Sequence, residues 1–587
     1  MIHGWDIIQK YGRYLRGEPH QPTSFRILVL ALAWILTACV NVPPAPFVPP
    51  SSPLPGPYSY TPPPSHRTAA TLVFSDLRFP VSVNPLFAAS NVDLELRTAL
   101  WAAPVFYDQA FHVHPDQLTE VPLPENGDVQ DNGKTIIMHL RHNLRWSDGQ
   151  PLLASDFQYW WQINQDPATG AINTAGYDQI ASIETSDRYT VILHMKHPFG
   201  PYLFYLPYAA PQHAWQAIHD IDLQNTVAVY LAPTITDGPY MLAHYVDGQS
   251  YTMIPNPYYT STTFHGPFVS RLIYQAYGNL TALAMAAQRQ QTDVTQSYME
   301  NNLPLLSHLP STVKVRIAPA AAYEHLDFNN GNLLLQDVNV RRAIQLALDK
   351  CGLVKDVLHS GDCARQVSQV EPPPSLFNAN ISAPAYDPVT AKRLLAQSGW
   401  SPGAHGLLTR HGQPFVIHLV TTANNPQRAA AATKIRRDLW AVGIQVDISY
   451  YPPGLFFALY TRGGILATGA YDLALFTYAN SPEPDDEYTA FHSSQIPTAD
   501  NPGLGNYARV NDAIIDRSLT QARNTVVFAE RLKYYHQFLQ RLAEQVYIIP
   551  LYTEVNILTT TTRVQNIIPN PNPSDNYWNM SDWWITQ

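Results

Sequence analysis

Charge, cysteine and compact catalytic signatures are all scarce in this chain. Only 14 % of its 587 residues are charged, against ~25 % in an ordinary soluble domain. It has no basic run and no basic patch interleaved with aromatics, which excludes nucleic acid as a partner. The three cysteines lie at 39, 351 and 363, with no CxxC spacing. The 21 histidines never fall four apart, and HExxH does not occur. The chain therefore offers no metal set and calls for no cofactor, and an enzymatic role has little to stand on. The longest early apolar run, from Ile27, is far shorter than the roughly 20 residues a membrane helix needs.

That run is informative. It follows Arg26 and ends Leu36-Thr37-Ala38-Cys39: basic, then apolar, then small residues before a cysteine, the layout of an exported lipoprotein leader. The expectation is cleavage after 1–38, lipid on Cys39, and a body held outside the cytoplasmic membrane by that anchor. Residues 39–67 follow as a proline tract, NVPPAPFVPPSSPLPGPYSYTPPPSHR from Asn41. Such a composition extends as polyproline II and buries no core, so it reads as a stalk. Cys351 and Cys363 remain as a pair: a disulfide suits an oxidising compartment, and two buried thiols are the alternative.

Even without its first 67 residues the chain exceeds the roughly 250–300 residues that one core organises. Helix and strand patterns alternate through it. Lys134–Leu140 and Thr190–Met195 read as half-buried strands. Ser155–Gln165 reads as a helix capped near Ser155 or Asp156, and Val338–Asp349 as an amphipathic one. Pro388–Ala396 starts with proline after Asp387 as cap. Gln427–Val442 ends at Gly443 before a strand, Ile444–Tyr450. Phe528–Gln545 and then Val546–Tyr552 close the series. Repeated helix-glycine-strand units indicate an α/β fold.

Six blocks then carry a resemblance. Residues 134–161, KTIIMHLRHNLRWSDGQPLLASDFQYWW, combine a strand, Leu140-Arg141, Trp146-x-Asp148-Gly149, and a helix opening with Asp156-Phe157. Asp237-Gly238-Pro239-Tyr240 precedes Asn256-Pro257-Tyr258-Tyr259. Phe328-Asn329-Asn330 precedes Val340-Arg341-Arg342-Ala343-Ile344, and Tyr386-Asp387-Pro388 runs to Gly399-Trp400. The segments 472–486 and 506 onward continue the order. Together they resemble the family 5 extracellular solute-binding proteins, peptide- and nickel-type receptors of ABC importers, over roughly 68–587. The resemblance implies a type II periplasmic-binding-protein-like fold: two α/β lobes with two crossovers and an extra subdomain in the first lobe. The lobes would span 68–275 and 276–546, with 547–587 returning to the first. The crossings would fall near Ile273-Tyr274-Gln275 and Pro550-Leu551-Tyr552.

The implied function is capture of a peptide or other small solute between closing lobes, for delivery to an ABC permease and ATPase complex, by a monomer. A sensor or adhesion protein that keeps the fold, or a receptor for an oligosaccharide or nickel chelate, remains open. In family peptide receptors an aspartate before an aromatic-Pro-acidic-Pro segment holds the α-amino group. Here that stretch is Tyr478-Ala479-Asn480-Ser481-Pro482-Glu483-Pro484, so Asn480 stands where the aspartate would. An amide offers a buried ammonium only a dipole. Glu483, Asp485 or Asp486 could replace it. Asn84, Tyr240, Asn329 and Tyr478 are further cleft candidates, since Asn and Tyr suit a backbone-like ligand. The Trp146–Gly149 turn, Arg341 and Arg342 (as lobe-internal ion pairs) and Trp583 and Trp584 (as core) read as structural. His112 and His114 read as one face of an exposed strand.

Overall fold

The computed structural model describes Tyr60 and residues 68–360, 362–382, 384–572 and 575–586. The leader 1–38, Cys39 and the proline tract other than Tyr60 lie outside the described residues. Tyr60 itself does not behave as stalk. It is 5 % exposed, its hydroxyl donates to Asp582, and its ring meets Trp578 at 5.3 Å.

One mixed sheet of ten strands runs through the body. Its strands are β1 (Thr68–Asp76), β2 (Tyr240–Val246), β3 (Ser250–Pro255), β4 (Val269–Ala276), β5 (Val294–Tyr298), β6 (Val313–Phe328), β7 (Val416–Thr422), β8 (Gln445–Tyr451), β9 (Leu473–Ala479) and β10 (Ile548–Thr561). They lie in the order β8-β7-β9-β6-β10-β5-β1-β4-β3-β2. Two cores sit against opposite ends. The first gathers Leu72, Phe74, Trp146, Trp160, Leu272 and Trp583. The second gathers Leu326, Val340, Ile417, Leu439, Leu475 and Ile549. Each end is therefore a lobe with its own apolar interior, as expected for a chain of this length.

The lobes are joined in mid-strand. Val313–Pro319 of β6 pairs with Val555–Thr561 of β10, and after a register break Tyr323–Asp327 pairs with Ile548–Thr553. The second half of β6 also pairs with β9. The two longest strands thus change lobes together. The first crossing lies at 319–323, not near 273–275 as the sequence suggested. β4 pairs in parallel with β1 through Ala276, and β5 also joins β1, which keeps residues 276–318 on the first lobe. On β10 the corresponding change of partner register falls at 553–555.

Local signals explain most elements. A four-stranded sheet in the first lobe contains Thr135–His139 and Thr190–Met195, and the latter alternates buried and half-buried positions. The helix Ala154–Gln165 begins where Asp156 Oδ2 accepts from Leu153 N at 2.9 Å. The same oxygen accepts from Trp146 Nε1 at 3.1 Å, binding the Trp146–Gly149 turn to the helix. Gly149 turns at φ +87°, a region that glycine enters without strain. Asp387 caps Pro388–Gln397 by accepting from Val389 N and Thr390 N. Arg341 is lobe-internal but makes no ion pair among the described residues: it donates to the carbonyls of Leu335 (2.7 Å) and Val546 (3.1 Å) and to that of Gln545. It thereby satisfies carbonyls at the end of the helix Phe528–Gln545, where a cation is favoured. His112 and His114 are not on an exposed strand: both face Asp108, and His114 Nε2 lies 3.0 Å from its Oδ2 with 4 % exposure. Cys351 and Cys363 are joined, their Cα atoms 5.0 Å apart. No helix among the described residues is long and apolar enough to cross a membrane.

Candidate functional site

A cavity of about 610 Å³ opens where the lobes face each other, a volume in the range of small-molecule sites. The first lobe supplies most of its wall, including Trp101, Tyr107, Tyr205 and Tyr208. The C-terminal segment adds Asp575 and Trp578, and the second lobe contributes Asn480, Ser481 and Asp486 from the chain leaving β9. Two other cavities, about 650 and 450 Å³, share Gly331 and Arg509 and are lined by the second lobe alone. Lobe movement cannot close over either.

The wall has a definite charge pattern. Arg97, in the helix Asn91–Leu100, places Nη2 3.8 Å from Asp575 Oδ1 and its guanidinium 5.4 Å from the centre of the Tyr208 ring. Burial pushes the Asp575 carboxyl up from its usual value, and Arg97 opposes this. Asp116 is pushed up to about 6 by burial, against Arg141 and a bond from Ser261. Asp486 is likewise pushed up to about 6, by burial first and the Glu483 charge second, while Ser481 pulls the other way.

The sequence candidates divide sharply. Asn84 is fully buried and spends both ends of its amide inside the first lobe, donating to Val229 O at 3.0 Å and accepting from Leu86 N at 3.0 Å. That leaves nothing for a solute. Tyr240 is fully buried in the first core. Asn329 is a latch, donating to the carbonyls of Gly469 and Tyr471 at 3.0 Å each and accepting from Gly331 N. Tyr478 stacks on His325, centroids 4.5 Å apart, beside the cavity rather than on its wall. Glu483 is locked in an ion pair with Arg531. Of the six, only Asn480 lines the cavity. Its Nδ2 donates to Val370 O at 2.8 Å and Glu371 Oε1 at 3.0 Å.

Arg97, Asp575 and the aromatic wall escaped the sequence reading. They come from segments hundreds of residues apart, and nothing in their local patterns marks them. Two short stretches do match hydrolase spacings, Gly399-Trp400-Ser401-Pro402-Gly403 and Ser311-Thr312-Val313-Lys314. Ser401 sits exposed on a two-residue strand, its Oγ donating to Thr409 O, and only the three-residue 3-10 turn Ala404–Gly406 follows, too short for the helix of a nucleophile elbow. Ser311 and Lys314 are exposed near the start of β6. Neither stretch forms a catalytic group.

Comparison with known proteins agrees with this architecture. The family model "Bacterial extracellular solute-binding proteins, family 5 Middle" matches residues 113–498. The oligopeptide-binding protein AppA of Bacillus subtilis is 24 % identical over 545 residues, covering 88 % of this chain and 92 % of AppA. The structure of that protein with a nonapeptide superposes with a TM-score of 0.67 at 21 % identity, covering 89 % of this chain and all of the other. NikZ from Campylobacter jejuni in complex with Ni(L-His) superposes with a TM-score of 0.70 at 22 % identity, covering 88 % and 99 %. Two lobes built on one shared sheet, a cavity between them and a family match over most of the body lead to one conclusion: this chain belongs to the bacterial extracellular solute-binding proteins, family 5.

Proposed function

We propose that this protein is the substrate-binding component of an ABC importer and captures a short peptide or peptide-like solute in the cavity between its lobes. The observation that carries the reading is the composition of that cavity. Its wall is contributed by both lobes, so a solute held there bridges them and favours the closed arrangement by its extra contacts in that state. Aromatic faces from Trp101, Tyr205, Tyr208 and Trp578 suit side chains of varied shape, while Asn480, Asp486, Arg97 and Asp575 supply a few polar points. The closed form is then what a membrane permease would recognise. Cys39 is the proposed lipid attachment, placing the body outside the cytoplasmic membrane and acting as a monomer.

A thermal-shift screen of the full chain tests this. Peptide pools at 100 times their Kd should add about 2.7 kcal/mol of stability. Stabilisation by peptides supports the reading. Stabilisation only by oligosaccharides or Ni²⁺-histidine would replace the peptide with that solute, and a folded protein that responds to no pool would count against import.

A further inference from the structure

We propose that Tyr60 is a positioning residue of the solute cavity: through Phe264 and Trp578 it fixes the aromatic end of the wall, and so decides which apolar side chains of a solute fit there. This rests on the reading of the cavity as a peptide site. It assigns the selectivity of one end to a residue that stands ahead of the first strand, Thr68–Asp76.

Tyr60 stands directly behind the cavity wall. Its ring meets Trp578 edge-on at 5.3 Å and Phe264 edge-on at 6.1 Å. Phe106 completes the group, stacked on Trp578 at 5.9 Å and tilted against Phe264 at 5.0 Å. With Ile568 these rings form a small core of their own, apart from the two lobe interiors. Phe106, Phe264 and Trp578 all line the cavity, and Tyr60 packs against the far side of the last two. Trp578 is held at its other edge, where Nε1 donates to Ile568 O at 2.8 Å. Edge-to-face ring pairs are directional. The Tyr60 ring therefore sets the tilt of two rings that a solute would meet.

The hydroxyl provides the second, independent observation. It donates to Asp582 Oδ2 and accepts from Asn566 Nδ2 at 2.9 Å. Asp582 is fully buried. Its other oxygen accepts from His265 N at 2.8 Å and Gly266 N at 2.6 Å, the two residues after Phe264. Burial raises the Tyr60 hydroxyl and the Asp582 carboxyl above their usual values, so the phenol keeps its proton and remains the donor. The carboxylate thus ties the tip of Tyr60 to the backbone that carries Phe264. That backbone has little slack: a Cβ on Gly266 would lie 1.8 Å from Ser581 O, and Ser581 also lines the cavity. A proline-rich tether favours an extended chain by composition and needs no such contacts. Tyr60 instead has partners for both its ring and its hydroxyl at the wall of the site.

The test uses the full chain as wild type, Tyr60→Phe, Tyr60→Leu and Tyr60→Ala. The probes are two tetrapeptide libraries, one with small side chains (Ala, Ser, Val) and one with large ones (Leu, Phe, Trp), and affinity is read by calorimetry. A second readout needs no solute: the fluorine NMR resonance of Trp578 in protein labelled with fluorotryptophan, identified by its loss in Trp578→Phe. Tyr60→Ala lets the wall retreat into the space behind it. The ratio of the two affinities should then move toward the large side chains by about 10-fold or more, the lower end of what one methylene is worth in an apolar pocket. The Trp578 resonance should move with it. Tyr60→Leu should act in the same direction, and is read in place of Tyr60→Ala where that variant does not fold. Tyr60→Phe keeps the ring and loses the bond to Asp582, so it should lower Tm while its ratio and resonance stay near the wild type. Replacing Cys351 and Cys363 by serine should lower Tm with no change in either, which separates wall position from stability. Where peptides bind, an unchanged ratio in Tyr60→Ala and Tyr60→Leu would overturn the proposal and leave the peptide reading standing. Where the wild type binds no peptide, the peptide reading falls and the resonance decides: moved in Tyr60→Leu but not in Tyr60→Phe, it upholds the hold of Tyr60 on the wall; unmoved in both, it overturns it.

Discussion

Arg531 and Glu483 meet in a two-point ion pair inside the second lobe, Nη1 donating to Oε2 at 3.0 Å and Nη2 to Oε1. Both residues are almost wholly buried, at 5 % and 7 % exposure. Arg531 also donates to Ala522 O at 3.1 Å, and the adjacent Glu483 charge opposes the effect of burial on its guanidinium. The pair anchors the acidic loop that carries Asp486 to the helix Phe528–Gln545.

Breaking this pair from one side leaves a buried guanidinium unmatched. Glu483→Gln should therefore cost about 3–5 kcal/mol of folding stability, read as a lowered urea midpoint with an unchanged slope. Solute binding should survive wherever the variant is folded, because Glu483 does not line the cavity.

The Glu371–Glu487 pair sets a pH dependence. Burial, foremost, pushes Glu371 up to about 7 from 4.5, and burial together with the Glu371 charge raises Glu487 further. Asn480, Ser375 and Asp486 are the other polar groups acting on the pair. A carboxyl whose folded value is raised contributes stability that is complete below its unfolded value and is lost as pH climbs through the folded one. Stability should fall by on the order of 3 kcal/mol between pH 4.5 and pH 8. Glu487→Gln, which can donate permanently to Glu371, should flatten the profile and exceed the wild type at pH 8 in chemical denaturation.

Asn480→Asp gives the loop the aspartate that the family resemblance leads one to expect there, yet it should destabilise the second lobe. The new carboxylate would face Val370 O and Glu371 in place of a donor. The expected result is a loss of about 1–3 kcal/mol at pH 8, largely recovered at pH 5, measured by chemical denaturation.

Gly238 packs so closely that a Cβ would lie 2.4 Å from the Leu100 carbonyl carbon and 2.5 Å from Trp101 N. Both are backbone atoms at the end of the helix Asn91–Leu100, and neighbouring Asp237 Oδ1 accepts from Ala102 N at 3.1 Å. Gly238→Ala should destabilise the first lobe by about 3 kcal/mol, and a Tm within a degree of the wild type would contradict this close approach.

Residues 351 and 363 close a short loop, with a sequence separation of 12. Replacing both cysteines by serine should cost about 3 kcal/mol on loop-entropy grounds, measured as the difference between denaturation curves of the oxidised wild type and the variant.

Much of this protein follows from local sequence alone. The strand at 190–195, the helix at 528–545 and the proline-started helix at 388 follow from periodicity and caps, because side-chain spacing and end signals act within a few residues. The Trp146–Gly149 turn follows from glycine's dihedral freedom in the same way. Tertiary structure alone decided the crossing at 319–323, since β6 has one continuous strand pattern and only its partners, β10 and β9, change along it. It also decided which polar residues are spent. Asn84 and Asn329 have the same side chain as Asn480, but in each the amide nitrogen donates to backbone carbonyls more than a hundred residues away and the oxygen accepts from a backbone N–H two residues on, whereas Asn480 spends only its nitrogen. Likewise, the four neighbouring carboxyl groups of Glu483, Asp485, Asp486 and Glu487 carry the same chemistry in the sequence. Arg531, Arg523 and Glu371 single out Asp486 by occupying the others, because pairing and burial are properties of a position in space.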